Sequence, residues 1–344
     1  MRITVLMGGT SSERDVSLAS GLRIAEALRT RGHRVQVIDT ARGPITDADE
    51  QRMLAAGVVK PRPPSPSELA RMSAESVAET AARLPARGEC DVAFLALHGG
   101  RGEDGTIQAL LDLAGVPYTG SGHLPSALAM DKDLSKHLFR AHGVGTADWL
   151  MATDRESPPE AALVERALGW PVIVKPSKQG STVGLSIVKE PSALRAAIAE
   201  AFEHDDEVMI EQFVAGRELT VGILGGEALP VGEIIPKHEI YDYECKYTAG
   251  MADELFPAPL TAAQTAAVQD DARRAFAALK LGGCARIDFR MNDAGELFCL
   301  EANTLPGMTA TSLIPQAAVA AGMTFPELCE RIAELAASGS GGSK

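Results

Sequence analysis

The stretch "RIDFRMNDAGELFCLEANTLPG" (286–307) indicates two strands joined by a tight turn. Apolar runs flank "NDAG" (292–295), a strong hairpin signal because these residues accept the backbone angles that turns require. Asp288 lies in the first strand. Glu301 and Asn303 end the second strand two residues apart, so they face the same side. Antiparallel pairing can bring Asp288 next to them.

Two carboxylates and one amide make a hard oxygen cluster suited to Mg²⁺ carrying phosphate oxygens. The alternative is a solvated polar face on a plain hairpin. The flanking positions are apolar, and buried acids without a role would be costly. The pattern therefore favours metal binding. The apolar flanks are Ile287, Phe289, Leu297 and Leu300.

A second motif, "VIVKPSKQGSTVGLS" (172–186), places Lys175 at the end of an apolar strand. Residues 177–184 are small, polar and glycine-bearing, so their backbone N–H groups and hydroxyls can wrap phosphates. A flexible hairpin tip is the alternative. The motif is not a P-loop, and the absence of GxGxxG from the sequence weakens a dinucleotide interpretation.

Two further segments are compatible with ligand contacts. In "EQFVAGRELTVGIL" (211–224), Glu211 ends a strand and could contact an adenine or ribose edge, or belong to a charged linker. The segment "HEIYDYECKYTAG" (238–250) has no clear period. It predicts a long ordered loop, which in compact domains is often a lid, or else an irregular surface connection.

The N-terminal stretch "MGGTSSERDVSLAS" (7–20) predicts a strand, a glycine turn and a helix start. Such a turn seats anions, but Glu13 would repel a phosphate. A zwitterionic amino acid suits both a helix N-terminus and a carboxylate. In "ALHGGRGEDGTIQ" (96–108), His98 follows a buried strand at the edge where α/β ligands bind, although a lone histidine is often structural.

The composition predicts a globular protein of two or three domains, with 344 residues, 45% hydrophobic residues and a net charge of −13. The acidic charge argues against nucleic acid or an anionic membrane as a partner. The sequence has no apolar run long enough to span a membrane and no signal-peptide pattern. Its five scattered cysteines favour a cytoplasmic protein with reduced thiols.

The order of strand and helix patterns predicts three domains and a tail. Residues 1–122 alternate strands and helices, as in an open parallel α/β sheet, and residues 123–212 predict a small central α+β domain. Residues 213–337 predict an antiparallel-sheet α+β domain, and 338–344 a disordered tail. The individual predictions include helices over 124–141 and 261–280 and strands over 181–188, 208–214 and 227–235.

Nine segments between residues 8 and 315 resemble, in family order, the D-alanine–D-alanine ligases of the ATP-grasp superfamily. They are "GGTSSERDVSLASG", "ALHGGRGEDG", "PYTGSG", "MDKDLSK", "KPSKQGSTVG", "EQFVAGRE", "YDYECKY", "RIDF" and "LEANTLPGMTATSLIP". The resemblance implies a three-domain ATP-grasp fold and, in the family, a homodimer. It implies that ATP phosphorylates the carboxylate of one D-alanine and that the amine of a second attacks the acyl phosphate, for peptidoglycan synthesis.

The resemblance also implies roles for individual residues. Glu13 would bind the ammonium of the first D-alanine and, with Ser181 and Tyr247, close the lid. Arg286 and the Gly307 N–H would stabilise the oxyanion. ATP contacts would come from Lys132, Lys175, Ser181, Glu211, Gln212, Val214, Glu218 and Lys246. Two Mg²⁺ (or Mn²⁺) ions would be held by Asp288, Glu301 and Asn303, and the D-alanines would also meet His98, Arg286, Ser312 and Leu313.

Several related functions stay open at this point. A D-alanine–D-lactate ligase would share most motifs, but the resemblance associates the tyrosine at 247 with an amine nucleophile. Another ATP-grasp carboxylate–amine ligase would keep the ATP and metal residues without depending on Glu13 and Ser312. A two-lobed amino-acid-binding protein would need neither the lysine pair nor the metal ligands.

Overall fold

The computed structural model describes residues 1–56, 77–241 and 250–339, which form three β-sheets with flanking helices. The proline-rich segment "GVVKPRPPSPSE" (57–68), whose composition predicts a surface excursion, lies outside these residues. So does most of the predicted tail, since Ser338 and Gly339 form a turn after the last helix and 340–344 are not described. No helix in the described ranges is long and apolar enough to cross a membrane.

The first sheet is mainly parallel, as predicted. Its central strand pairs in parallel with a neighbour on each side, and five of its six residues are buried, which explains its almost continuous apolar sequence. In the order β3-β2-β1-β4, the strands are β1 (Arg2–Met7), β2 (Arg34–Asp39), β3 (Gly43–Pro44) and β4 (Val92–Leu95). The accompanying helices are α1 (Arg14–Thr30), α2 (Asp47–Ala56), α3 (Val77–Ala81) and α4 (Thr106–Ala114).

Two helices, α5 (His123–Met130) and α6 (Lys132–Ala141), lead to the second sheet. The prediction of one continuous helix over 124–141 is wrong. Asp131 has an extended backbone, with φ −84° and ψ 101°, and its carboxylate accepts the Leu134 N–H at 3.0 Å. This N-cap ends one helix and begins the next. The break sets Lys132 at the first position of α6.

The second sheet is antiparallel, in the order β5-β8-β6-β7. The predicted strand over 181–188 is shorter in the structure because Ser181 and Thr182 have positive φ angles of 51° and 59°, which a strand cannot contain. The strand at 149–152 was not predicted. The elements are β5 (Trp149–Ala152), α7 (Ala161–Leu168), β6 (Val172–Pro176), β7 (Ser186–Val188), α8 (Leu194–Ala201) and β8 (Val208–Gln212).

The third sheet is also antiparallel, in the order β12-β11-β9-β13-β14 with β10 paired to β9. Its strands are β9 (Arg217–Leu224), β10 (Glu227–Ala228), β11 (Gly232–Pro236), β12 (Ala252–Leu255), β13 (Cys284–Met291) and β14 (Leu297–Asn303). The predicted single strand over 227–235 is interrupted near Pro230, which has no N–H to donate to a ladder. The helices are α9 (Ala262–Ala278), α10 (Leu313–Ala320) and α11 (Phe325–Ala337).

A shared apolar core joins the first sheet to the C-terminal helices. Buried side chains of β1 and α1 pack in one cluster with side chains of α10 and α11, including Leu22, Ile314 and Ile332. This packing brings the end of β1 and the start of α1 close to the segment that follows β14. Glu13, which directly precedes α1, and residues of the 301–313 segment therefore line a common space.

Candidate active site

A cleft between the second and third sheets, called here the first cleft, spans about 1040 Å³, part of which is open to solvent. Side chains of β6 and β8 form one wall, and side chains of β9, β13 and β14 form the other. Its lining includes Lys132, Lys175, Ser181, Glu211, Gln212, Val214, Glu218, Arg286, Asp288, Arg290, Glu301 and Leu313.

A buried charge cluster forms one end of this cleft. The Lys175 ammonium donates to Glu211 Oε2 at 2.7 Å, and the Lys136 ammonium donates to Glu211 Oε1 and, at 2.7 Å, to the Thr146 hydroxyl. Burial alone would raise the pKa of Glu211, but the two ammonium charges lower it to about 2. Burial lowers the pKa of Lys136, against the charge of Glu211. Glu211 is therefore held ionised between two cations.

At the same wall, Lys132 is placed by the helix that begins with it. Its ammonium donates to the Gln179 carbonyl at 2.7 Å and lies 3.2 Å from a Glu301 carboxylate oxygen. Lys132 is only 7% exposed, so this cation is strongly constrained. Together with Lys175 it places two ammonium groups in the lining of the first cleft.

The predicted metal ligands are adjacent in the structure. In the β13–β14 ladder Asp288 pairs with Glu301 and Arg286 pairs with Asn303, after a register shift between Asp288 and Phe289. The hairpin thus brings Asp288 next to the other two predicted ligands. The Asp288 carboxylate accepts hydrogen bonds from Arg286 Nε at 2.9 Å, from the Thr220 hydroxyl at 2.7 Å and from Asn303 Nδ2 at 3.0 Å. Burial would lower the pKa of Arg286, but the charge of Asp288 raises it.

This cluster has the donor chemistry of a Mg²⁺ site. Asn303 uses its amide nitrogen toward Asp288, which leaves its carbonyl oxygen as a ligand beside the two carboxylates. An all-oxygen set suits Mg²⁺ or Mn²⁺. In the described ranges, no three His, Cys, Asp or Glu side chains group as a metal site, so the fit rests on these two acids and one amide.

The outer part of the first cleft contains the predicted adenine and ribose residues. Val214 and Glu218 are linked through Arg290, which donates to the Val214 carbonyl at 3.1 Å and to the Glu218 carboxylate at 3.2 Å. Gln212, next to the buried Glu211, is exposed. Its backbone rather than its side chain is fixed by the sheet, since its N–H donates to the Asp148 carbonyl at 2.8 Å.

A second cleft of about 850 Å³ adjoins the first and shares part of its wall. The shared residues include Lys132, Ser181, Arg286 and Glu301. A ligand in one cleft can therefore contact a ligand in the other at this shared wall. The second cleft is also lined by Glu13, His98, Glu103, Asn303, Leu305, Gly307, Ser312 and Leu313.

Glu13 and Ser181 meet in this second cleft although they are far apart in sequence. The Ser181 hydroxyl donates to Glu13 Oε1. The other carboxylate oxygen faces two glycines, because a Cβ added to Gly99 or Gly180 would lie 3.1 or 3.2 Å from Glu13 Oε2. The two glycines leave room beside a carboxylate that is only 9% exposed. This carboxylate can receive a small cation.

His98 lies in the same cleft, but both of its ring nitrogens contact protein groups. Nδ1 is 2.9 Å from the Leu305 carbonyl, to which it can only donate, and Nε2 is 3.2 Å from the Ser20 hydroxyl. Burial lowers the pKa of His98. The ring is thus a neutral link between the first sheet and the segment after β14.

Gly307 and Ser312 enclose the far side of the second cleft. A Cβ at Gly307 would lie 2.7 Å from the Ser312 hydroxyl, so only glycine fits here without a shift. That hydroxyl accepts the Thr309 N–H at 2.9 Å, and Leu313 is buried against Ile234 and Tyr241. The backbone of this turn is therefore close-packed and rigid.

Most of the predicted site residues line the two clefts, but Lys246 and Tyr247 lie outside the described residues. Sequence reasoning missed three polar groups: Lys136, Glu103 and Thr220. A signal existed for Lys136, since it follows Lys132 by four residues and so lies on the same face of a helix. No spacing in the sequence singles out Glu103 or Thr220.

Two antiparallel sheets that face each other across a cleft with two lysines, together with an N-terminal parallel sheet, define a three-domain ATP-grasp architecture. Comparison with known families agrees with it. Residues 2–121 match the family described as "D-ala D-ala ligase N-terminus", and residues 138–334 match "D-ala D-ala ligase C-terminus". The chain belongs to the D-alanine–D-alanine ligase family.

Individual relatives extend over nearly the whole chain. A D-alanine–D-alanine ligase of Syntrophotalea carbinolica is 44% identical over 331 residues, covering 96% of this chain and 94% of the relative. One of Geobacter sulfurreducens is 41% identical over 344 residues, covering 99% and 96%. The crystal structure of D-alanine–D-alanine ligase from Bacillus anthracis complexed with ATP has a TM-score of 0.73 and 31% identity, covering 98% of this chain and 97% of that one.

Proposed function

We propose that this protein joins two D-alanine molecules into D-alanyl-D-alanine, for peptidoglycan synthesis, and converts ATP to ADP and phosphate in the process. The observation that carries the proposal is the wall shared by the two clefts. A nucleotide in the first cleft and an amino acid in the second would meet beside Lys132, Arg286 and Glu301. The relatives named above bear the same activity in their names.

The reaction that the family resemblance implies has two steps. A carboxylate oxygen of the first D-alanine attacks the γ-phosphorus of ATP, and the bond to the bridging oxygen of ADP breaks. The amine of the second D-alanine, having lost a proton, then attacks the acyl carbon, and the tetrahedral intermediate expels phosphate. Positioning and charge stabilisation supply most of the catalysis, as in other phosphoryl transfers.

The proposal gives the lysines and the carboxylates separate tasks. Lys132 and Lys175 neutralise ATP phosphates, and Lys246 is proposed to join them. Glu211, Gln212 and Val214 contact adenine, and Glu218 contacts ribose. Glu13 binds the ammonium of the first D-alanine, with His98 nearby. Ser181 and Tyr247 complete the lid contact, and Ser312 and Leu313 face the carboxylate of the second D-alanine.

Arg286 and the Gly307 N–H are proposed to stabilise the oxyanion of the tetrahedral intermediate, as fixed donors aimed at developing charge. Asp288, Glu301 and Asn303 would hold Mg²⁺ or Mn²⁺, two ions in all, which when bound neutralise phosphate charge. Arg286 is kept in place by its bonds to Asp288. The homodimer and the cytoplasmic location are proposed on the family resemblance.

The test is phosphate release from ATP and Mg²⁺ with D-alanine, compared with L-alanine and with no amino acid. The proposal predicts D-alanine-dependent release matched by dipeptide formation. Phosphate release that is equal with and without D-alanine would exclude it, and binding without ATP turnover would indicate an amino-acid-binding protein. If D-lactate were a better second substrate than D-alanine at neutral pH, the protein would instead be a depsipeptide ligase.

A further inference from the structure

The turn at 305–308, which contains Gly307, is held mainly by side chains from the N-terminal part of the chain. The Leu305 N–H donates to Glu103 Oε1 at 3.2 Å, and the Leu305 carbonyl accepts from His98 Nδ1 at 2.9 Å. The Met308 N–H donates to the Ser20 hydroxyl at 3.2 Å, and the Met308 carbonyl accepts from Arg23 at 3.0 Å. Both backbone groups of both residues are thus bound across the domain boundary.

These contacts are connected to one another as well as to the turn. The Ser20 hydroxyl lies 3.2 Å from His98 Nε2, so it can accept from Met308 and donate to a neutral His98. The second oxygen of Glu103 accepts the Gly99 N–H at 3.0 Å, and Gly99 borders the Glu13 carboxylate. One polar network therefore fixes the distance between Glu13 and the 305–308 turn.

The network is built from buried groups. Ser20 is 0% exposed and His98 is 6% exposed, so water cannot easily replace a lost partner. Glu103, which is less buried, is held at both carboxylate oxygens by backbone N–H groups. A neutral amide at 103 could accept only one of these two bonds with its oxygen.

We infer that Glu103, Ser20 and His98 are positioning residues that set the 305–308 turn, and with it the Gly307 N–H, relative to the carboxylate that receives the substrate ammonium. This inference rests on the proposed function. It assigns to the N-terminal domain a direct part in aligning the Glu13 carboxylate, which would bind the ammonium, with the Gly307 N–H, which would stabilise the oxyanion. Glu103 and His98 line the second cleft but not the first. Disturbing the network should therefore raise KM for D-alanine and leave KM for ATP nearly unchanged.

The chain offers a matched pair of serines for the test. Ser17 and Ser20 lie on α1, are both 0% exposed and both bridge two groups. Ser17 accepts the Gly8 N–H at 2.8 Å and donates to the Ala96 carbonyl at 2.6 Å, so its contacts remain within the N-terminal sheet region. Ser17→Ala is the control for a buried hydroxyl lost from the same helix, and Ser20→Ala is the test.

The experiment measures KM for D-alanine and for ATP, and the melting temperature, of wild type, Ser17→Ala, Ser20→Ala and Glu103→Gln. We expect Ser20→Ala and Glu103→Gln to raise KM for D-alanine roughly tenfold, as loss of one or two buried hydrogen bonds does, and to leave KM for ATP within about twofold. Ser17→Ala should change neither KM beyond about twofold, even if its melting temperature falls as much as that of Ser20→Ala.

The outcomes separate this inference from the proposed function. Wild type without D-alanine-dependent turnover would overturn the function and the inference together. Wild type that turns over normally while Ser20→Ala and Ser17→Ala behave alike would overturn the inference alone. Equal rises in KM for ATP and D-alanine would also overturn it, because they would indicate general loosening of the fold.

Discussion

Replacing Glu13 by glutamine removes the charge that we propose to bind the substrate ammonium while keeping the shape of the side chain. One carboxylate oxygen is engaged by Ser181, and the other faces Gly99 and Gly180. An amide can still accept from Ser181, so the local packing survives. The variant thus isolates the charge of one group that is only 9% exposed.

The expected magnitude follows from the kind of contact that is lost. A hydrogen bond between charged partners in a buried site contributes about 1.5–3 kcal/mol. At about 1.4 kcal/mol for each factor of ten, Glu13→Gln should lower kcat/KM for D-alanine roughly 10- to 150-fold. KM for ATP should stay within about twofold, because Glu13 lines only the second cleft.

Steady-state assays of phosphate release at varied D-alanine, with ATP saturating and then the reverse, measure both constants. Gly180→Ala is a second test of the same site, since its methyl group would lie 3.2 Å from Glu13 Oε2 and narrow the approach of the ammonium. Glu26→Gln, on the exposed face of α1, is the matched control and should be silent. A Glu13→Gln enzyme with unchanged kcat/KM for D-alanine would refute the ammonium role.

Three further predictions concern the phosphate side and pH. Lys136→Met should raise KM for ATP at least about tenfold and lower the free energy of unfolding by on the order of 3 kcal/mol. The reason is that it leaves Glu211 with one cation instead of two. Unchanged ATP binding in calorimetry would contradict this prediction. Glu301→Gln should nearly abolish turnover in Mg²⁺ while the circular dichroism spectrum is retained; near-normal activity would refute its metal role. KM for D-alanine should rise as pH falls from about 8 to 6. Burial and the charge of Glu13 raise the pKa of Glu103 to about 7. Only the ionised Glu103 carboxylate accepts with both oxygens from the Leu305 and Gly99 N–H groups.

The raised pKa of Glu103 also predicts how the free energy of unfolding changes with pH. Because the pKa of Glu103 rises from 4.5 to about 7 on folding, the folded state binds more protons than the unfolded state in that window. This group alone therefore makes the protein less stable as pH rises from about 4.5 to 7. The nearby carboxylates of Glu13 and Glu301 contribute to the shift. Glu103→Gln should remove the inflexion in KM, and its persistence would assign it to another group.

The hairpin that carries the predicted metal ligands was predictable because the signals for its turn and its strands are local. Turn residues at 292–295 indicate the hairpin and the two-residue period of its strands. The register shift between Asp288 and Phe289, which sets Asp288 opposite Glu301 rather than Leu300, emerged only from the structure. Local signals also sufficed for β1 and β4 of the first sheet, whose sequences are almost entirely apolar and buried. The break at Asp131 was not predictable from periodicity, because the helical pattern continues through a break that a capping side chain creates.

The contacts that join distant segments could not be predicted from spacing. Lys136 and Glu211 are 75 residues apart, Glu13 and Ser181 are 168 apart, and Glu103 and Leu305 are 202 apart. Each partner alone has the pattern of an ordinary surface charge or loop residue. Only the packing of three sheets determines which of them become neighbours. The family resemblance supplied the Glu13–Ser181 grouping, but the pairs of Lys136 and Glu103 emerged from the structure.

Isotope tracing tests whether ATP activates the carboxylate of one D-alanine for attack by the amine of another. D-alanine labelled with ¹⁸O in its carboxylate is converted with unlabelled ATP, and phosphate and dipeptide are analysed by mass spectrometry. The account predicts one labelled oxygen in each phosphate released, with the other oxygen of the activated carboxylate retained in the peptide carbonyl. Unlabelled phosphate, whether or not dipeptide forms, would contradict it.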